Sequence, residues 1–235
     1  MMLKRPLIRA LALRQAAQYS VDINKNVLES LQRGGISRVA FVRHGQTGPK
    51  QGSDFDRQLT VEGRRQVETA RKSYMDSLQP IYSRAMVSPA PRTMETVRIL
   101  LEGYPHVDIR EVPVIYDATM QPEGSKLFKQ LGYAPLRDYI EHEDTDVRST
   151  ARDVLFGYAS NVFNTLPDHL TDREEGSTLL IIGHAIYLPS LTYTLAGQLG
   201  SEALDAVLDC NTQEAEGYLL DLSNGKVNTL KRSQV

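Results

Sequence analysis

Apolar and polar positions change their spacing along the chain from residue 38 onward. Short runs rich in β-branched and aliphatic residues recur at Val39-Ala40-Phe41-Val42, Ile81 to Val87, Val112 to Tyr116, Leu179 to Ile182 and Tyr218 to Leu222. Each is too short and too evenly apolar for a helix, so each predicts a strand. Between them the apolar positions fall three and four apart. The clearest series, Val147, Ala151, Val154, Leu155, Tyr158, Val162, Phe163 and Leu166, predicts a helix that Pro167 closes. Residues 60–78 and 91–102 predict two shorter helices, the first opening at Thr60. Strand and helix in alternation imply an α/β protein, a three-layer α/β/α sandwich around a mostly parallel sheet. In such sheets the functional site gathers at the carboxyl ends of the strands.

The first 36 residues read as a helical extension of the domain that occupies 37–235. Residues 1–21 carry Lys4, Arg5, Arg9 and Arg14 with no acid, and Leu3, Leu7, Ile8 and Leu11 fall at helical spacing. An amphipathic helix packed on the domain is the preferred reading, and a mitochondrial or plastid presequence is the alternative. Arg9 interrupts the apolar run and argues against a secretory signal. A second helix follows, with Val27, Leu28 and Leu31 as its stripe and Gly34-Gly35 as its end.

Charge and composition narrow the partners. Over 235 residues, 27 Lys and Arg face 29 Asp and Glu, a net charge of -2 that gives no general attraction to a polyanion and disfavours a nucleic-acid partner. The longest apolar stretches fall far short of the roughly 20 residues of a membrane-spanning helix. The single cysteine, Cys210, excludes an internal disulfide framework and a multi-cysteine zinc site; it fits a reducing compartment, and a cytoplasmic location is expected. A homodimer remains open.

The strand ends carry the chemistry. Arg43-His44-Gly45-Gln46-Thr47 follows the first strand and Gly183-His184-Ala185 follows the fourth, so two histidines arrive at one sheet edge. Ser88-Pro89-Ala90-Pro91-Arg92-Thr93 follows the second and sets Arg92 on the first turn of a helix, where free N–H groups and the helix dipole favour an anion. An arginine grips two phosphoryl oxygens at once, which a lysine cannot. The edge is therefore suited to a phosphate.

Together with Leu59-Thr60-x-x-Gly63-x-x-Gln66, these motifs resemble the histidine phosphatase superfamily, also called phosphoglycerate mutase-like, in order and approximate spacing from residue 38 to 222. The resemblance implies that His44 is the nucleophile that takes the phosphoryl group. It implies a pocket of Arg43, Arg92 and His184 around it, with Gln46 and Thr47 contributing to phosphate binding, and neither metal nor other cofactor. A general acid for the leaving group belongs after the third strand: Asp117 is preferred, and Glu123 is the alternative. His106, His142 and His169 match no motif and read as surface residues.

The run Ser53-Asp54-Phe55-Asp56-Arg57-Gln58-Leu59-Thr60 is similar to the Asp-x-Asp-Arg-Pro-Leu-Thr run of SixA-type phosphohistidine phosphatases, with Gln58 in place of the proline. Gly48-Pro49-Lys50 stands where mutases commonly have Trp-Asn. A phosphatase acting on a phosphorylated protein or a small phosphorylated metabolite is therefore the expected function, and mutase-type phosphotransfer is the first alternative. A catalytically silent phosphate-binding module and a membrane-surface scaffold held by the basic amino-terminal helix are the others. Residues 121–146, with Tyr133, Arg137 and the acidic run Glu141-His142-Glu143-Asp144, are where a substrate-selecting cap is expected, although the acidic run alone reads as a solvated loop.

Overall fold

Strand β1 (Ile36–Arg43) is buried over most of its length, and its alternate residues serve two different cores. Val39 and Phe41 join Leu179 and Ile181 of β4 (Ser177–Gly183) on one face of the sheet, while Ala40 and Val42 join Leu180 and Ile182 on the other. Side chains alternate across a strand, so a strand covered on both faces must be apolar at every position. The sheet has six strands in the order β3-β2-β4-β1-β5-β6, completed by β2 (Ile81–Val87), β3 (Asp108–Glu111), β5 (Gly217–Asp221) and β6 (Val227–Leu230). The first four in that order run parallel; β5 is antiparallel to β1, and β6 to β5. The expected α/β sandwich with a mostly parallel sheet is the fold observed. The computed structural model describes residues 26–49, 52–117, 122–170, 175–200 and 204–233, so the basic segment 1–21 lies outside the described residues.

One face is covered by α1 (Asn26–Arg33), α7 (Thr145–Thr165) and α8 (Tyr187–Gln198), through Val27, Leu155, Tyr158, Val162, Leu188 and Leu191. The other is covered by α2 (Val61–Tyr74) and α3 (Pro91–Leu100), through Val67, Ala70, Val97 and Leu100. Full burial of each such aliphatic side chain contributes about 1.5–3 kcal/mol, which is the main force holding the helices to the sheet.

Local signals start and stop these helices. Asp144 caps α7 by accepting from the N–H groups of Asp146 (2.8 Å) and Val147 (3.2 Å), and at Leu166–His169 the helix tightens into a 3₁₀ turn containing Pro167. Thr60 caps α2 by accepting from Gly63 N–H at 2.9 Å. Pro91 occupies the first turn of α3, where its missing N–H costs nothing. The stripe Val27, Leu28 and Leu31 does form a helix, and Gly35, at φ +78°, takes the left-handed conformation that ends it.

The third strand is displaced from its expected place. Val112 to Tyr116 is not a strand: β3 is Asp108–Glu111, and Val114–Asp117 is a helical turn, α4. Pro113 is the physical cause. Val112 N–H makes the last contact toward β2, with Val87 O at 2.8 Å, and Pro113 has no N–H to extend it. The chain turns instead, Tyr116 N–H bonding to Pro113 O. The residues of β3 itself are mostly exposed and charged, as suits an edge strand, and so carry no apolar run. The polar edge strand β6 escaped the same reading.

After α4 the region expected to form a cap contains α5 (Pro122–Leu131) and α6 (Leu136–Ile140), packed on α7. Helix α9 (Leu204–Asp209) packs beside α6 and α8. No described helix is long and apolar enough to cross a membrane.

Candidate active site

The ends of β1, β4 and β2 are tied side by side. His44 N–H bonds to Gly183 O at 3.2 Å, and Ser88 N–H bonds to Ile182 O at 3.1 Å, so the residues that leave these strands emerge together. Arg43, His44, Arg92 and His184 are all buried there, and the two imidazole rings stand edge to face with centroids 5.3 Å apart. Four residues from three parts of the chain thus meet at one edge of the sheet.

A close backbone approach sets the turn after His44. A Cβ on Gly45 would lie 2.6 Å from Gly63 O, and one on Gly63 would lie 2.1 Å from Gln46 O; neither position has room for a side chain. Gln46 is clamped to the start of α2: its N–H donates to Gln66 Oε1 (2.9 Å), its carbonyl accepts from Thr60 N–H (3.0 Å), and its side-chain Oε1 accepts from the Thr60 hydroxyl (2.9 Å). Thr47 pairs with Leu59 in an isolated antiparallel bridge. The Leu-Thr-x-x-Gly-x-x-Gln motif is thereby the mould for the loop that follows His44.

His44 has one ring nitrogen committed. Its Nδ1 lies 2.7 Å from Gly45 O. A carbonyl only accepts, so Nδ1 carries the proton and Nε2 carries the lone pair. Burial, then the neighbouring His184 and Arg92, hold its pKa well below the ordinary imidazole value, so the ring is neutral at pH 7. His184 is likewise kept neutral, by burial and by Arg92 and Arg43. Its Nδ1 faces Arg92 Nη2 at 3.4 Å, and its Nε2 lies 2.8 Å from Ser88 Oγ. A guanidinium only donates, which assigns the His184 proton to Nε2 and makes Ser88 the acceptor.

The arginines are held differently. Arg43 Nη1 donates to Thr212 O (2.9 Å) and Nη2 to Glu214 Oε1 (3.1 Å), while its guanidinium carbon sits 4.7 Å from the centre of the Tyr133 ring. Arg92 donates from Nη1 to the Asp54 carbonyl (2.6 Å) and from Nη2 to Asp54 Oδ2 (2.8 Å). Arg57 reaches the same carboxylate through Oδ1 at 3.3 Å and anchors itself on Gly48 O. Burial opposes the charge of Asp54, but Arg92 and Arg57 outweigh it and hold the carboxyl below its usual range. The Nε–H groups of both Arg43 and Arg92 are buried without a hydrogen-bond partner among the described residues.

Asp117 ends α4, the turn whose Tyr116 ring lies 5.6 Å from that of His184; its side chain lies outside the described residues. Glu123 is exposed on the first turn of α5. Of the cap residues, Tyr133 reaches the site through Arg43, but Arg137 does not: it pairs with Glu141, Asp205 and Asp209. The acidic run does lie in the loop between α6 and α7, where Glu141 pairs with Arg137 and Asp144 caps α7. His106, His142 and His169 are exposed or half-buried.

Sequence reasoning used residues 53–60 only to choose a branch of the family and missed that Asp54 occupies the fork of Arg92. It also missed Ser88, Tyr116, Thr212 and Glu214. The serine and Asp54 lay within quoted motifs, whereas Glu214 precedes β5 with no distinguishing pattern around it.

Comparison with known proteins bears out the resemblance over the first half of the domain: residues 39–121 match the model of the histidine phosphatase superfamily, branch 1. No curated protein sequence matches the chain significantly. Among solved structures, YhfR of Bacillus stearothermophilus is 18% identical, with 82% of this chain and 94% of that one covered at a TM-score of 0.51. A phosphoserine phosphatase of Entamoeba histolytica, solved with 3-phosphoglyceric acid, is 14% identical over 84% of this chain and 97% of its own, at 0.50. The protein histidine phosphatase SixA, solved with tungstate, is 19% identical over 82% and 93%, at 0.46. At such identities the likeness is one of fold.

Proposed function

We propose that this chain is a phosphatase that works through a phosphohistidine on His44. The observation that carries the reading is the His44 imidazole, neutral, tautomerically fixed by Gly45 O and set among Arg43, Arg92 and His184. In the first step Nε2 attacks phosphorus in line, the N–P bond forms, and the bond to the leaving group breaks with its electron pair. In the second, water attacks the phosphohistidine, the N–P bond breaks, and orthophosphate and neutral His44 are regenerated. Both steps use one pocket, and splitting one hard displacement into two is the advantage of a covalent route.

Charge spreads over the phosphoryl oxygens in each transition state, and donors fixed in advance around them supply the stabilisation. Arg43 and Arg92 are such donors, each with a buried Nε–H still without a partner among the described residues. Gln46 and Thr47 lie on the loop that follows His44 and complete the phosphate-binding set in this reading. An alkoxide leaving group needs a proton; Asp117 is assigned to give it, with Glu123 as the alternative. A phosphoramidate departs more readily and relies on the acid less.

The substrate class is a phosphorylated protein or a small phosphorylated metabolite, and the run 53–60, similar to that of SixA-type enzymes, favours phosphohistidine among them. The test is turnover. The purified chain should hydrolyse p-nitrophenyl phosphate, and Arg92→Lys, which keeps the charge but loses the planar fork, should lower the rate at least about tenfold. No turnover of any substrate in a panel of phosphohistidine protein, phosphopeptides and sugar phosphates would leave a silent phosphate-binding module instead.

A further inference from the structure

Beside the candidate active site lies a cavity of about 690 Å³, within the roughly 300–1,000 Å³ range of small-molecule sites. Its floor is one face of α2, with Arg65, Gln66 and Thr69. One wall is the segment that leads into β5, and the other is the chain that follows β6. No aliphatic or aromatic side chain lines it, so it is not built for an apolar ligand.

Its charges are unevenly distributed. Glu62 is matched by Arg65 through two bonds of 2.9 and 3.1 Å. The Glu216 carboxylate accepts from Gln213 N–H at 3.2 Å. Lys231 and Arg232 have no hydrogen-bond or ion-pair partner among the described residues; Arg232 acts on Glu62 only through space, and its Nε–H is buried and unsatisfied. Two cations without close counter-ions, one with an orphaned buried donor, border a roomy polar cavity. An orphaned buried donor is costly, and an anion would remove that cost.

The cavity shares its walls with the catalytic pocket. Gln66, on its floor, accepts the Gln46 N–H two residues after His44. The Glu216 carbonyl accepts the Arg43 N–H at 2.9 Å, and Asn211 lines both this cavity and the cleft beside Arg43 and Tyr133. We propose that Lys231 and Arg232 form a second anion-binding site for a phosphate group, next to the pocket of His44 and separated from it by residues 211–216. The phosphate is either the second of a substrate with two or that of a separate small ligand.

The experiment is a calorimetric titration of inorganic phosphate into the intact chain, into Lys231→Gln/Arg232→Gln, and into Arg92→Ala. The proposal expects two phosphates per wild-type chain and one in each variant. It also expects kcat/KM for p-nitrophenyl phosphate to stay within about threefold of wild type in the double variant, whose substitutions lie outside the catalytic pocket. One phosphate in wild type, lost in Arg92→Ala and retained in the double variant, overturns the second site and leaves the catalytic reading standing. Two in wild type with both kept in Arg92→Ala would fault the catalytic reading instead. A bisphosphate such as 1,3-propanediol bisphosphate separates the two sources: a bridging substrate binds at one molecule per chain and loses at least tenfold in affinity in either variant, whereas a separate ligand binds at two.

Discussion

Asp54 lies in the fork of Arg92, its carboxylate on Nη2 at 2.8 Å and its carbonyl on Nη1 at 2.6 Å, so the donor tips of this buried arginine are already engaged before a phosphate arrives. The contact is two-sided in its effects. It compensates a guanidinium that burial would otherwise leave unpaired, and in the proposed mechanism it competes with a phosphoryl group for the same donors.

Removing that carboxylate should therefore cost stability that phosphate returns. Asp54→Ala should lower the unfolding free energy by about 1–3 kcal/mol, the usual penalty for a buried polar group left unsatisfied. A ligand that binds only the folded state stabilises it by mass action. Phosphate should accordingly raise the melting temperature of Asp54→Ala more than that of wild type, in thermal melts with and without phosphate. Equal increments would mean that Asp54 and phosphate do not meet at Arg92.

The depressed pKa of His44 makes a prediction about acid pH. Burial, with His184 and Arg92 adding to it, favours the neutral ring in the folded protein. Below the ordinary value of 6.5 the unfolded chain takes up a proton that the folded one refuses, so stability falls as pH falls and this group adds nothing above 6.5. In the proposed mechanism the neutral ring remains competent as a nucleophile over the same interval. After allowance for the ionisation of the substrate, the acid limb of kcat/KM should lie below 6.5, and the imidazole signals of His44 should titrate there in NMR spectra. A limb at or above 6.5 would assign it to another group.

The proton donor is separable from the pocket by the choice of leaving group. p-Nitrophenolate departs unaided, whereas an alkoxide needs protonation, so loss of the acid should harm an alkyl phosphate far more. Asp117→Asn should lower turnover of an alkyl phosphate at least about tenfold more than that of p-nitrophenyl phosphate. If Glu123→Gln shows the split and Asp117→Asn does not, the role moves to Glu123. Equal losses on both substrates would make Asp117 a positioning residue.

What the sequence discloses here follows from where burial is complete. β1 and β4, covered on both faces, announce themselves as apolar runs, and the periodic stripe of α7 does the same for a helix. The edge strands β3 and β6 face solvent, so their charged and polar residues are as acceptable in a loop as in a ladder, and the apolar run at Val112 to Tyr116 was mistaken for the strand that precedes it. The site divides similarly. Arg43, His44, Arg92 and His184 sit at strand and helix ends, which topology brings together whatever the loops do. Glu214, Thr212 and Tyr133 reach Arg43 from segments far along the chain, and no local pattern marks a residue whose role is to meet a distant one.

The most direct measurement is to quench the chain in alkali during turnover of a ³²P-labelled phosphomonoester and map the acid-labile label. The covalent account predicts label on the peptide containing His44, none in His44→Ala, and a fall in turnover of at least about a thousandfold in that variant, or about 4 kcal/mol of barrier. Label on another residue, or His44→Ala activity within about a hundredfold of wild type, would contradict it.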